Sequence, residues 1–264
     1  MKQNLNDLIP KTVYKYRDFN DELHKRIITH QEIYFAKPSE FPDPYDCRYK
    51  IDKDFIKDEY NRRIYYAKQL GTNNLFHSQI DQLISQNLIT DELIEVQQNN
   101  TQRIINQLYG IFSVSLNYRN PHLWEIFGGN NKGFCVGLDF QGVLPLNQGT
   151  KGRVKYTDVE HLSKSKVLNH DNDLEMINYV FESILTLPID FINEQEYRMQ
   201  KTFFKDADRY IKLDKRYIQS IILGHKMSEP KRKEMIELIN KHLPNIKIKR
   251  LRYSNGKIGE IDLN

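Results

Sequence analysis

Two periods of hydrophobic spacing alternate along the chain. In "TVYKYR", residues 12–17, and again in "EIYFAKP", "GIFSVSL", "KGFCVGLDF" and "GRVKYTDV", β-branched and aromatic residues gather in short runs. Such runs, bounded by Gly, Pro or Asp, predict strands. "EYRMQKTFF", "YIKLD", "YIQSIILG" and "IKIKRLRY" continue the series toward the C-terminus. Elsewhere the spacing changes to three and four. "DFNDELHKRIITH" carries acids early and bases late, as a helix dipole favours, with Asp18 as its predicted cap. Asn120 and Pro121 open a helix through Trp124 and Phe127. "DNDLEMINYVFESILTL" reads as an amphipathic helix capped by Asp171 or Asp173, and "SEPKRKEMIELINKHL" starts on Ser228. From about Ile51 to Tyr109 helical spacing dominates: Phe55, Ile56, Tyr60 and Ile64, then Phe76, Ile80, Leu83 and Ile84, then Leu93, Ile104 and Leu108. The expectation is a single α+β domain over residues 1–264. Its sheet is mostly antiparallel with flanking helices, and a helical insertion occupies about 52–109.

Composition narrows the class of protein. No stretch approaches the roughly 18 uninterrupted apolar residues of a membrane helix, and "MKQNLNDLIPKTVY" lacks the apolar region of a secretory signal. Cys47 and Cys135 stand far apart without a CxxC partner, which fits a reducing compartment and argues against a disulfide framework. A cytoplasmic protein is expected, with no membrane partner. The net charge of +4 points to no partner, because nucleic-acid binding depends on charge gathered on one face. His24, His30, His122, His161 and His170 show no HExxH or paired helical spacing. "NKGFCVGLD" has neither P-loop nor GxGxxG spacing, so Walker and Rossmann sites are excluded.

Candidate chemistry gathers in "FINEQEYRMQKTFF", residues 191–204. In a strand, residues two apart share a face, so Glu194, Glu196 and Arg198 fall on one side and Tyr197 and Met199 on the other. The alternative reading is a solvated strand face. Ser113 and Ser115 share a face of "GIFSVSL", opposite Phe112 and Val114, either as site hydroxyls or as the polar side of an amphipathic strand. In "PSEFPDPYDC", Asp43 and Asp46 either form Asx turns or order a site. With Glu196 they could instead hold Mg²⁺, a hard cation that takes carboxylate oxygens. Trp124 reads as core, and Cys135 as a buried, inert thiol.

"VYKYR", "IYFAKPSEFPDPYDC", "GIFSVSLNYRNPHLWEIFGGNNKGFCVGLDF" and "NEQEYRM" together resemble the bacterial domain-of-unknown-function family 2971. Pro42 departs from that family's loop, where Asn is usual, and "LWEIFGG" departs from its Trp-x-x-Tyr. The order of motifs is similar to that of ADP-ribosyltransferases: an Arg or His on the first core strand, a Ser or Tyr strand, then a late Glu. By that order the positions are Arg17 (or Lys15), Ser113 with Ser115, and Glu196. The resemblance implies an NAD-using transferase of toxin or phage-defence type, with NAD as substrate and no metal expected. Its acceptor would be a protein or a nucleic acid. Glu196 would be the catalytic carboxylate, Glu194 its exposed helper and Arg198 an orienting partner. Lys15, Tyr16, Arg17, Ser113, Ser115, Asp43 and Asp46 would bind the dinucleotide. Two other readings stay open. One is a metal-dependent nuclease or phosphodiesterase using Asp43, Asp46 and Glu196. The other is a non-catalytic module that binds nucleic acid or protein through the basic C-terminal third, where Lys247, Lys249 and Arg250 are the positions to test.

Overall fold

In the computed structural model, which describes residues 11–58, 90–146, 149–166, 174–254 and 257–263, the alternating segments become strands. They are β1 (Thr12–Arg17), β2 (Glu32–Tyr34), β3 (Tyr109–Ser115), β4 (Phe134–Asp139), β5 (Lys151–Arg153) and β6 (Lys155–Thr157). β7 (Thr186–Pro188), β8 (Glu196–Thr202), β9 (Tyr210–Lys212), β10 (Ile218–Leu223), β11 (Lys247–Ser254) and β12 (Lys257–Asp262) follow. The chain divides into two units: Met1–Lys37 with Gly110–Tyr156 and Asp190–Asn264, and Pro38–Tyr109 with Thr157–Ile189. No helix among the described residues is long and apolar enough to cross a membrane.

The first unit is built on an eight-stranded sheet of order β12-β11-β10-β4-β1-β3-β8-β5. The sheet is mostly antiparallel and flanked by helices, as the α+β expectation has it. β1 lies antiparallel to both β4 and β3, whereas β10 and β11 run parallel. A parallel pair needs a crossover connection, and the helix Glu229–His242 supplies it. Alternation along β1 sends Val13 to one face, where Phe112, Val136, Met199 and Leu223 meet Ile27 of the helix Glu22–Thr29 and Met235 and Ile239 of Glu229–His242. Tyr16 goes to the opposite face with Cys135, Ile222 and Leu251, under Leu123 and Trp124 of the helix Pro121–Ile126. Both faces are therefore covered. Gly133 permits the close approach of β4 to β1, since a Cβ there would run into the Arg17 carbonyl oxygen.

Several local expectations change. The first helix is capped by Asp21, whose side chain accepts from Leu23 N, while Asp18 instead accepts from Asn20 N at 2.9 Å. "GRVKYTDV" splits into two short strands around Val154. Ser228 makes no side-chain capping bond. β12 has no apolar run to announce it; "KIGEID" pairs with β11 from Lys249↔Asp262 to Ser254↔Lys257. Its charged residues suit an edge strand.

The second unit contains the helices Lys53–Lys57, Asp91–Leu108 and Leu174–Ile184. Thr90 caps the long one, which buries Ile94, Thr101 and Ile105. Its Gln98 and Gln102, one turn apart, accept from the backbone N–H groups of Ile51 (3.0 Å) and Tyr49 (2.6 Å), holding an extended segment in place. The helical positions Tyr60, Ile64, Phe76, Ile80, Leu83 and Ile84, the caps Asp171 and Asp173, and His170 lie outside the described residues.

Candidate active site

β8 starts at Glu196 because of the corner before it. Gln195 has φ 50°, in the left-handed region that costs a residue with a β-carbon about 1–2 kcal/mol. Its N–H donates to Ile192 O and its carbonyl accepts from Leu116 N, both at 3.4 Å. Glu194 therefore ends the 3-10 turn Ile189–Glu194 rather than lying in the strand. It is buried, at 5% exposure. Two expectations are corrected: Glu194 does not share a strand face with Glu196, and it is not an exposed helper.

Glu196 and Arg198, two apart in β8, do share a face. Arg198 Nε donates to Glu196 Oε2 at 2.5 Å, with the side chains 2% and 11% exposed. This is a buried ion pair, not a solvated strand face. Tyr197 and Met199 face the other way into the core, as the period of two requires. Glu196 N–H donates to Tyr156 Oη at 3.0 Å. Glu196 Oε1 takes no hydrogen bond from any described residue.

Glu196 lines an open cleft of about 400 Å3 with Gln195, Leu116, Ile192, Arg153, Val154 and Tyr156. Arg153 is exposed at the end of β5, antiparallel to β8 through the pair Arg153↔Tyr197. Burial pushes the Tyr156 phenol up to about 12, and the Glu196 and Glu194 carboxylates add to the rise. Tyr156 thus serves as a neutral group at ordinary pH, its oxygen accepting from the Glu196 backbone.

The strand order β1-β3-β8 places the sequence-predicted residues on neighbouring strands. It divides them between faces. Lys15 pairs with Val136, so Lys15 and Arg17 project with Val13, whereas Tyr14 pairs with Ser115 on the face that Tyr16 shares. Lys15 Nζ donates to Ser113 O at 2.5 Å and lies 5.3 Å from the Phe112 ring centroid. Burial, then the Arg17 charge, pushes its ammonium down to about 7; Arg198 adds to this, and the Glu196 and Glu194 carboxylates oppose it. Burial likewise pushes Arg17 down to about 10, which leaves it cationic.

Two predicted ligands are engaged in the fold. Tyr16 Oη donates to Asn117 O at 2.5 Å and accepts from Asn120 N at 3.3 Å, while its ring packs edge-on against Trp124. Ser115 Oγ contacts the carbonyls of Asn117 and Glu194 at 3.2 Å and accepts from Asn117 N at 3.1 Å, tying β3 to the turn before β8. Ser113 Oγ is buried without a hydrogen-bond partner among the described residues. Asp43 forms an Asx turn, accepting from Tyr45 N at 2.8 Å, and buried Asp46 accepts from Cys47 Sγ at 3.1 Å. Both belong to the second unit.

Among the described residues no group of three His, Cys, Asp or Glu side chains could hold a metal ion. Lys249 and Lys247 are ion-paired with Glu260 and Asp262, and Arg250 donates to His225 O. Cys135 is buried and free, its thiol pushed well up by burial. The sequence did not single out Arg153, Tyr156 or Gln195. A basic residue and a tyrosine in a short strand carry no periodic signal, and a left-handed Gln has none. No family model, no curated protein and no solved structure matches the chain.

Proposed function

We propose that the sheet-bearing unit is an ADP-ribosyltransferase-like enzyme that uses NAD as substrate, with Glu196 as its catalytic carboxylate. One observation carries the reading: Glu196 is anchored through one oxygen by buried Arg198, while its other oxygen is unpartnered among the described residues on the wall of an open cleft. In the reaction the bond between the ribose carbon and the nicotinamide nitrogen breaks. Its electron pair leaves on the nicotinamide ring, neutralising that ring's positive charge. The ribosyl carbon acquires oxocarbenium character and is captured by an acceptor nucleophile, which releases its proton. A fixed carboxylate beside that carbon stabilises the transition state more than the ground state. Arg198 keeps the carboxylate from reorienting. Arg153, exposed on the same cleft, suits the diphosphate as a forked donor, where the motif order pointed to Arg17 or Lys15.

Calorimetry with NAD, paired with an assay of nicotinamide release, tests the reading. Wild type should bind and turn over NAD. Glu196→Gln keeps the shape but removes the charge, so binding should persist while turnover collapses. Absence of heat at millimolar NAD, in protein shown to be folded, would overturn the proposal.

A further inference from the structure

The second unit holds a pocket that the Glu196 chemistry does not use. Its volume is about 180 Å3, smaller than the roughly 300–1,000 Å3 of drug-sized ligand sites. Three cations line it: Arg48 and Lys50 from the segment after the proline-rich loop, and Lys164. Among the described residues no carboxylate forms an ion pair with any of them. Ser163, Ser183 and Thr186 also line it; Ser183 Oγ, at the end of the helix Leu174–Ile184, donates to Val180 O at 2.8 Å, and Thr186 stands at the start of β7. Tyr45, Val159 and Leu162 supply an apolar wall, and Lys50 Nζ lies 5.3 Å from the Tyr45 ring centroid. Glu182 accepts from Ser163 Oγ at 3.3 Å and does not itself line the pocket.

The walls are stapled together. Ser165 N–H donates to Lys50 O at 2.7 Å, and Asp52 N–H returns to Ser165 O at 2.8 Å. Buried Tyr49 donates to Ser165 Oγ at 3.0 Å and packs edge-on against Tyr179. Tyr179 Oη donates to Ser163 O at 2.6 Å and accepts from Lys50 N at 3.3 Å. The backbone carrying the three cations is therefore fixed before any ligand arrives, which lowers the entropy cost of binding. Three cations with no ion-paired carboxylate among the described residues, the Thr186 hydroxyl and a tyrosine face make a complementary set. It fits a dianion attached to a flat apolar body.

We propose that this pocket binds a free phosphomonoester of the nucleoside monophosphate class. The cations and the Thr186 hydroxyl take the phosphate, and the base or sugar lies against Tyr45, Val159 and Leu162. The volume suits one phosphate and one ring, not a dinucleotide.

Calorimetry on the full chain with adenosine 5′-monophosphate, inorganic phosphate and adenosine tests this. The monophosphate should bind more tightly than inorganic phosphate, and adenosine should not bind at equal concentration. Lys164→Gln and Arg48→Gln should each weaken the monophosphate about tenfold or more, since each removes a charge-assisted contact. Lys164 is exposed, so its variant folds even if Arg48→Gln does not. Lys212→Gln, an exposed lysine on β9, should leave this affinity unchanged. No heat with monophosphate or phosphate at millimolar concentration would overturn the proposal. So would loss of binding in Arg153→Gln with retention in Lys164→Gln. Equal affinity for a 5′-phosphorylated dinucleotide would overturn the free-nucleotide assignment in favour of nucleic-acid ends.

Discussion

Two glutamates in the same sheet hold a cation at the same distance and differ in everything else. Glu260 on β12 accepts from Lys249 Nζ through Oε1 at 2.5 Å and from Tyr118 Oη through Oε2 at 2.6 Å, with Arg119 at 3.9 Å. Both its oxygens are engaged. Glu196 on β8 is more buried, 11% exposed against 24%, yet among the described residues only its Oε2 is engaged, by Arg198 at 2.5 Å. A carboxylate that serves the fold has every reason to be satisfied on both oxygens, because an unmet buried acceptor is costly. Glu196 tolerates the deficit because its residue lines an open cleft. The more buried acid is the one left incomplete among the described residues, and on the proposed reading that asymmetry separates the catalytic carboxylate from a fastening one.

The largest way to break the comparison is to remove each cation. Arg198→Met leaves a carboxylate stranded beneath the sheet face and should cost about 3–5 kcal/mol. Lys249→Met frees a carboxylate that still has Tyr118 and partial water, and should cost about 0–1 kcal/mol. Urea unfolding of both variants measures this. Equal losses would mean that Glu196 is as well solvated as Glu260.

The second way is to neutralise the acids. Glu196→Gln should lower NAD turnover about 10²–10³-fold, the scale of losing one electrostatic stabiliser of a transition state. Glu260→Gln should leave turnover unaltered. A matching fall in both would assign the loss to the sheet rather than to the cleft, as read by nicotinamide release under saturating NAD.

Much of this was legible in the residues, and what was not has physical causes. Alternation placed β1 at Thr12–Arg17 and put Phe112 and Val114 in the core opposite Ser113 and Ser115, since a period of two is written directly in the sequence. The Glu196–Arg198 partnership followed from the same period. Glu194 was misplaced because the corner at Gln195 is a backbone event carried by a residue with no glycine-like signature. Lys15 and Arg17 were expected at the cleft because motif order says which strand a residue occupies. It does not say which face. Arg153 reaches the cleft through the pairing of β5 with β8, and Tyr156 through its bond from Glu196 N–H, contacts between segments forty or more residues apart that local pattern cannot encode. β12 was missed because an edge strand facing water needs no apolar run.

A third test concerns Lys15, whose ammonium is pushed down to about 7, by burial before any neighbouring charge. The folded state therefore disfavours its charged form, and the unfolded chain binds the extra proton between pH about 7 and roughly 10.4. Wild-type stability should gain from this group as pH rises across that window. Lys15→Met should remove the gain, flattening the difference in Tm measured from pH 6 to 10. A variant that tracks wild type in parallel throughout would show that Lys15 titrates like a solvated lysine.

The smallest effect sharpens the comparison most, because it concerns the acid assigned to the fold. Burial works to raise the Glu260 carboxyl, but the Lys249 and Tyr118 hydrogen bonds, with the charges of Lys249 and Arg119, outweigh it and hold the group below its usual range. A depressed folded pKa means that the unfolded state takes up the proton first on acidification. The stabilisation is then complete above the unfolded value of roughly 4.3 and disappears as pH falls through the folded value. Glu260→Gln should accordingly cost about 0.5–1 kcal/mol at pH 7, the scale of a partly exposed pair. That difference should shrink toward zero as both proteins are acidified below about pH 4. Urea midpoints of the two proteins between pH 7 and pH 3 read it directly. A difference that persists at the acid end would mean that the side chain contributes by packing against Tyr118 rather than by charge, and Glu260 would no longer serve as the saturated counterpart of Glu196.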